Sequence, residues 1–131
     1  MSCTHDSPLQ CWPLPPLAGQ EGVLDLFAGI GTWAAAAGLL GLPMLGSLDW
    51  DTHAIAALKQ QGHTTLQIDF GQPGNWGPAL AMAPRLITAS PPCPPWTTAG
   101  LQGGFHDPRA VPMVLLPVFA HWTGAEVVCI E

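Results

Sequence analysis

The chain has 131 residues, 48 % of them hydrophobic and only 9 % charged, with a formal net charge of −6; this excludes a disordered charged tail and fits one globular domain. Lys59, Arg85 and Arg109 are its three strong cations, too few for this chain alone to hold duplex DNA through phosphate contacts. A membrane span is not expected, because the longest apolar stretch, Trp33 to Leu48, is broken by Gly38, Gly41, Pro43 and Gly46. With no secretory signal at its start, a cytoplasmic setting with reduced thiols is expected.

Residues 1–20 carry Pro8, Pro13, Pro15 and Pro16 without periodicity and read as an irregular leader. Val23–Phe27 is a short apolar run rich in strand formers, followed at once by Ala28-Gly29-Ile30-Gly31. Thr32–Leu40 is Ala-rich and predicts a helix, stopped by Gly41 and Pro43. Met44–Trp50 predicts a second strand. Asp51 or Thr52 then caps a helix that carries Ile55, Ala57 and Leu58 and closes at Gly62. His63–Asp69 and Arg85–Ser90 are the third and fourth strands. Val111–Trp122 is a helix despite Pro112 and Pro117, and Glu126–Glu131 is a fifth strand.

Strands that alternate with helices predict βαβ units, hence an α/β fold of Rossmann-like type with a parallel sheet and helices on both faces. Ligands bind such sheets at the carboxyl ends of the strands, near the switch in strand order. That rule singles out Asp25 to Gly31, Asp49 and Trp50, Asp69 and Phe70, Ser90 to Trp96, and Glu131. The stretch GIGTWA, Gly29 to Ala34, fits G-x-G-x-x-G/A after a strand, with the acidic Asp49 twenty positions on. Its glycines let backbone approach a ligand, and the carboxylate can accept hydrogen bonds from ribose hydroxyls. The pattern fits NAD, FAD or S-adenosylmethionine. Trp50 offers a flat face for an adenine, or else is a buried core residue.

The loop Ser90-Pro91-Pro92-Cys93-Pro94-Pro95-Trp96 places four prolines around one cysteine. Such a stiff loop holds its thiol in a fixed position, as a nucleophile requires; an inert Cys in a proline-rich connection is the plainer alternative. Glu131 ends the fifth strand and would face the same pocket as Cys93 if that strand lies beside the fourth. Cys3, His5 and Cys11 read as an incidental cluster, and no metal site is expected.

Taken together, these motifs resemble the DNA cytosine-5 methyltransferase family. Val23-Leu-Asp-Leu-Phe-Ala-Gly-Ile-Gly31 is similar to its first motif, DLFAGxGG. Leu48-Asp-Trp-Asp51 resembles the second, Ile68-Asp69-Phe70 the third, and Ser90-Pro-Pro-Cys-Pro-Pro-Trp-Thr97 the fourth, the PCQ loop with the catalytic Cys. Asp107-Pro-Arg109 is similar to the fifth, and Val127-Val-Cys-Ile-Glu131 to the strand entering the sixth, ENV. Six matches in order over residues 23–131 are a specific signal.

The resemblance implies that the cofactor is S-adenosylmethionine. Phe27, Gly29 and Gly31 would line its methionine end, Asp49 would take the ribose, Trp50 the adenine face and Asp69 the adenine amino group, with Asp25 and Phe70 completing the set. Cys93 would add to carbon 6 of a cytosine flipped out of DNA, and Glu131 would hydrogen-bond and protonate ring nitrogen 3. Pro94 stands where the family has Gln, and Thr32 where it has a second Gly.

The family's remaining Asn-Val, its arginine-rich motif and its target-recognition domain have no counterpart in these residues. Residues 21–131 are therefore expected to be the N-terminal part of a catalytic domain. Its fifth strand would be an unfinished edge, and it would be inactive without a further segment or second chain. The alternatives are an S-adenosylmethionine-binding module without chemistry of its own, a family member acting on RNA, or an NAD-type Rossmann domain. The last leaves Cys93 and Glu131 without a role.

Overall fold

The computed structural model describes residues 22–131; the leader, with Cys3, His5 and Cys11, lies outside the described residues. Five strands, β1 (Val23–Leu26), β2 (Met44–Asp49), β3 (Thr65–Gln67), β4 (Leu86–Ala89) and β5 (Val127–Ile130), form one sheet in the order β3-β2-β1-β4-β5. Every pairing is parallel. The order reverses between β1 and β4, so the switch point opens beyond Leu26 and Ala89. β5 does lie beside β4, and its β-type pattern of Val and Ile suits that position.

Four helices cover the sheet: α1 (Thr32–Leu39), α2 (Thr52–Gln60), α3 (Gly77–Leu80) and α4 (Val111–Thr123). The α2 cap is Asp51, whose side chain accepts from the Ala54 N–H at 3.1 Å. Its far end closes where Gly62 takes φ 83° and His63 N–H donates to Leu58 O. This is why β3 is shorter than the 63–69 expected: His63 finishes the helix instead of starting the strand. α4 runs through Pro117, with Pro112 in its first turn, where a missing N–H costs nothing. A 3-10 turn (Pro73–Asn75) and α3 fill a stretch for which the sequence predicted no element.

The two faces of the sheet differ. On one, Leu24, Leu26, Leu48, Ile87 and Ala89 pack with Phe70, Trp76, Ala79, Leu116 and Phe119 from the β3–β4 connection and α4. Trp76 is the hub. Its ring lies 5.0 Å from Phe70 and 5.2 Å from Phe119, and its indole N–H donates to Phe70 O at 3.0 Å. The opposite face, toward α1 and α2, carries a polar row in register: Ser47, Asp25 and Thr88 are all buried. No helix among the described residues is long and apolar enough to cross a membrane.

Candidate active site

The loop after β1 turns sharply, with Phe27 at φ 57°, Gly29 at φ 54° and Gly31 at φ 91°. The last is the α1 N-cap, and a Cβ there would lie a tight 3.1 Å from Leu58 Cδ2; the left-handed φ is what favours glycine at this position. Asp49, at the end of β2, holds this loop. Its Oδ2 accepts from Gly29 N–H at 2.8 Å and its Oδ1 from Asp51 N–H at 2.9 Å. The spacing of twenty residues thus has a structural use beside the expected ribose contact. A carboxylate has about four acceptor sites, so capacity remains after these two bonds.

An open cavity of about 590 Å³ lies at the carboxyl ends of β1, β2 and β3, a size suited to a nucleotide-like ligand. Phe27, Trp50, Asp69 and Phe70 line it, together with Pro92, Arg109, Val111 and Pro112. Trp50 is 71 % exposed, which settles that it is not a core residue. Asp69 is exposed too, and its Oδ1 accepts from Gly71 N–H at 2.9 Å. Phe70 is buried and stacks edge-on with Phe27 at 5.1 Å. Gly29, Gly31 and Asp49 are not among the residues that line this cavity.

Asp25 is placed differently from the other predicted cofactor residues. It is fully buried within β1, off the cavity, where its Oδ1 accepts from Thr88 Oγ1 at 2.8 Å and its Oδ2 has no partner. Burial pushes its carboxyl up to about 6; the Thr88 bond opposes the rise and the Asp49 charge adds to it.

Ser90 follows β4 and opens the cysteine loop, whose Pro92 lines the cavity. The Cys93 thiol is free and exposed, and Trp96 N–H donates to Cys93 O at 3.0 Å. Glu131, also exposed, follows β5, with its N–H on Ala89 O at 3.0 Å. Cys93 and Glu131 therefore leave adjacent strands at the same edge of the sheet.

Two residues of this region carry more than sequence reasoning gave them. Arg109 lines the cavity and is clamped by Asp107, with Nη2 on Oδ2 at 2.7 Å and Nε on Oδ1 at 3.0 Å. The guanidinium holds the Asp107 carboxyl below its usual range. Trp33 Nε1–H donates to Ser90 Oγ at 2.9 Å, joining α1 to the cysteine loop. The Asp-Pro-Arg string signalled the first; nothing in the spacing signalled the second. No group of three or more His, Cys, Asp or Glu among the described residues could hold a metal ion.

Residues 22–120 match the family model described as C-5 cytosine-specific DNA methylase. The chain is 32 % identical over 90 residues to two Type II methyltransferases of Herpetosiphon aurantiacus, M.HgiBI and M.HgiCII, over 66 % of this chain and 20 % of each relative. It thus spans about a fifth of the length of these curated relatives. Among solved structures, the S. pombe Dnmt2 methyltransferase is similar with a TM-score of 0.56 at 24 % identity, covering 76 % of this chain and 30 % of that one. The Entamoeba histolytica methyltransferase EhMeth gives 0.59 at 18 %, covering 75 % and 32 %. Both share the fold of the sheet described above.

Proposed function

The chain belongs to the C-5 cytosine-specific DNA methylase family, and on that premise we propose that it holds S-adenosylmethionine and supplies the nucleophile for methylation of cytosine in DNA. The observation that carries this reading is that one cavity is lined both by Phe27, Trp50 and Asp69 and by Pro92 of the cysteine loop. The residues fit the cofactor. The two left-handed glycines allow close backbone approach, Trp50 presents an open ring, and Asp49 and Asp69 each retain acceptor capacity beyond the amides they already hold.

In this reading Phe27, Gly29 and Gly31 line the methionine end, Asp49 takes the ribose, and Trp50, Asp69 and Phe70 hold the adenine. Asp25 contributes from beneath, joining β1 to β4 through Thr88 and not by contact. When bound, the cofactor supplies an electrophilic methyl group. The Cys93 thiolate adds to carbon 6 of the cytosine; the electron pair of the 5,6 double bond moves to carbon 5, which becomes nucleophilic. Glu131 donates a hydrogen bond and proton to ring nitrogen 3, limiting negative charge on the ring. Carbon 5 would then take the methyl group as the bond from that methyl to the cofactor sulfur breaks, leaving the neutral thioether. After a base removes the carbon 5 proton, the double bond re-forms, the thiolate is expelled and the ring nitrogen 3 proton returns to Glu131. The base must leave the helix first, because stacking shields carbon 6.

A further polypeptide segment, on the same or a separate chain, would carry DNA recognition. Val127, Val128 and Ile130 on β5 are 39 %, 36 % and 49 % exposed, and Val111, Val114, Val118 and Trp122 form an exposed stripe along α4. Apolar surface of this extent beside an open strand edge is a template for more protein. With three strong cations in its sequence, the chain needs such a segment to hold phosphate.

Titration calorimetry tests the cofactor reading: S-adenosylmethionine should bind the folded chain and NAD should not. Labelled-methyl transfer to DNA, and to RNA for comparison, should appear only when the segment with the remaining motifs is present. Methylation by the isolated chain, or preference for RNA, would replace this reading.

A further inference from the structure

We propose that Trp33 is a positioning residue that transmits occupancy of the cofactor cavity to Cys93; the proposal rests on the cofactor and nucleophile roles given above. Trp33 is the second residue of α1, two positions after Gly31, and its indole N–H donates to Ser90 Oγ at 2.9 Å across 57 residues of sequence. One partner follows β1 and the other follows β4, the strand pair at the switch point. The bond therefore ties together the two segments that leave the switch point.

Beyond Cys93 the cysteine loop is tied by Gly104 N–H, which donates to Pro95 O at 2.8 Å; ahead of Cys93 the ties are fewer. Pro91, Pro92, Pro94 and Pro95 have no N–H to give. Ser90 N–H reaches Leu26 O at 3.3 Å, long for an amide bond, and Trp96 N–H stays inside the loop on Cys93 O. Of the two bonds that Ser90 makes to the rest of the fold, the one from Trp33 is the shorter. Between Ser90 and Cys93 stand two prolines whose fixed φ leaves little slack. A displacement of Ser90 is passed along to Cys93 instead of being absorbed.

At the other end, α1 starts from the left-handed Gly31, and Asp49 anchors the glycine loop through Gly29. A ligand that shifts or stiffens this loop shifts or stiffens the first turn of α1, and the indole moves with it. The path from β2 to the nucleophile is contiguous: Asp49, Gly29, Gly31, Trp33, Ser90, Cys93. Contiguity alone does not establish coupling, so the test is a double-mutant cycle.

Trp33→Phe keeps the ring and removes the donor; Ser90→Ala removes the acceptor, and Ser90→Thr restores it. The readout is amide hydrogen exchange at Ser90, Cys93 and Trp96 by NMR on the chain alone, with and without saturating S-adenosylhomocysteine, beside calorimetry for affinity. In the wild type the ligand should slow exchange at these three amides at least threefold. In Trp33→Phe and Ser90→Ala exchange should be about two- to tenfold faster, the scale of one lost hydrogen bond. It should also stop responding to ligand, with affinity changed less than threefold. The double variant should match either single one, and Ser90→Thr should behave as wild type. Variants that keep the wild-type response, or effects that add in the double variant, would overturn the proposal. Binding to wild type without any response overturns the coupling alone, whereas absence of binding overturns the cofactor reading and the coupling with it.

Discussion

Asp25→Asn should stabilise the chain at neutral pH, and the gain should vanish in acid. Asp25 is fully buried in β1, with Oδ2 unpartnered and its carboxyl pushed up from 3.8 to about 6 by burial. The folded state thus binds the proton more tightly than the unfolded chain does. The stability tied to that proton is fully present below about pH 3.8 and is lost as pH rises through about 6. The rise is worth about 3 kcal/mol, a substantial part of a small domain's total. Asparagine keeps an acceptor for Thr88 Oγ1 and carries no charge at any of these pH values. Urea unfolding of both proteins, followed by tryptophan fluorescence from pH 4 to pH 8, measures the difference directly. The variant should gain about 2.4 kcal/mol on the wild type between pH 4 and pH 7.5. A difference that does not change with pH, or a variant less stable at pH 7.5, would refute the burial argument.

Asp49→Ala frees the Gly29 and Asp51 amides together with the ribose acceptor, so calorimetry should find S-adenosylmethionine binding weaker by about 1–3 kcal/mol. Cys93→Ser should abolish the covalent adduct that the complete enzyme forms with 5-fluorocytosine DNA, while cofactor affinity stays the same; an adduct through Cys129 would move the nucleophile. Trp76→Ala should cost about 3–5 kcal/mol in urea unfolding, because it empties the centre of the aromatic face, whereas Trp122→Ala, at a residue 60 % exposed, should cost far less.

The five strands and the helices α1, α2 and α4 were legible as apolar runs, helped for two of them by a cap or stop, Asp51 before α2 and Gly41 after α1. What escaped was chemistry that depends on tertiary placement. Trp76 lies among Pro73, Gly74, Gly77 and Pro78, residues that signal a loop, yet the turn they build sinks its ring into the core. Asp49 stood out for its distance from the glycines, and that distance could not say that its oxygens would hold the Gly29 and Asp51 amides. The motif residues divide in the same way. Phe27, Trp50, Asp69 and Phe70 line one cavity, Gly29, Gly31 and Asp49 do not line it, and Asp25 belongs to the inside of the sheet.

The polar row beneath α1 and α2 also answers a problem of strand alignment. In a parallel sheet buried on both faces, runs such as Val23–Leu26 or Leu86–Ala89 pair almost as well one residue out of step. Here a one-residue slip of β1 would drive the Asp25 carboxyl among Phe70, Trp76 and Phe119 and strand Thr88 without its acceptor. Every misaligned sheet would then bury a lone carboxyl against aromatic rings, at a cost well above that of its present site. The same residue that subtracts from stability at neutral pH therefore penalises the wrong pairings more heavily than the right one, and the central strands lock at a single offset.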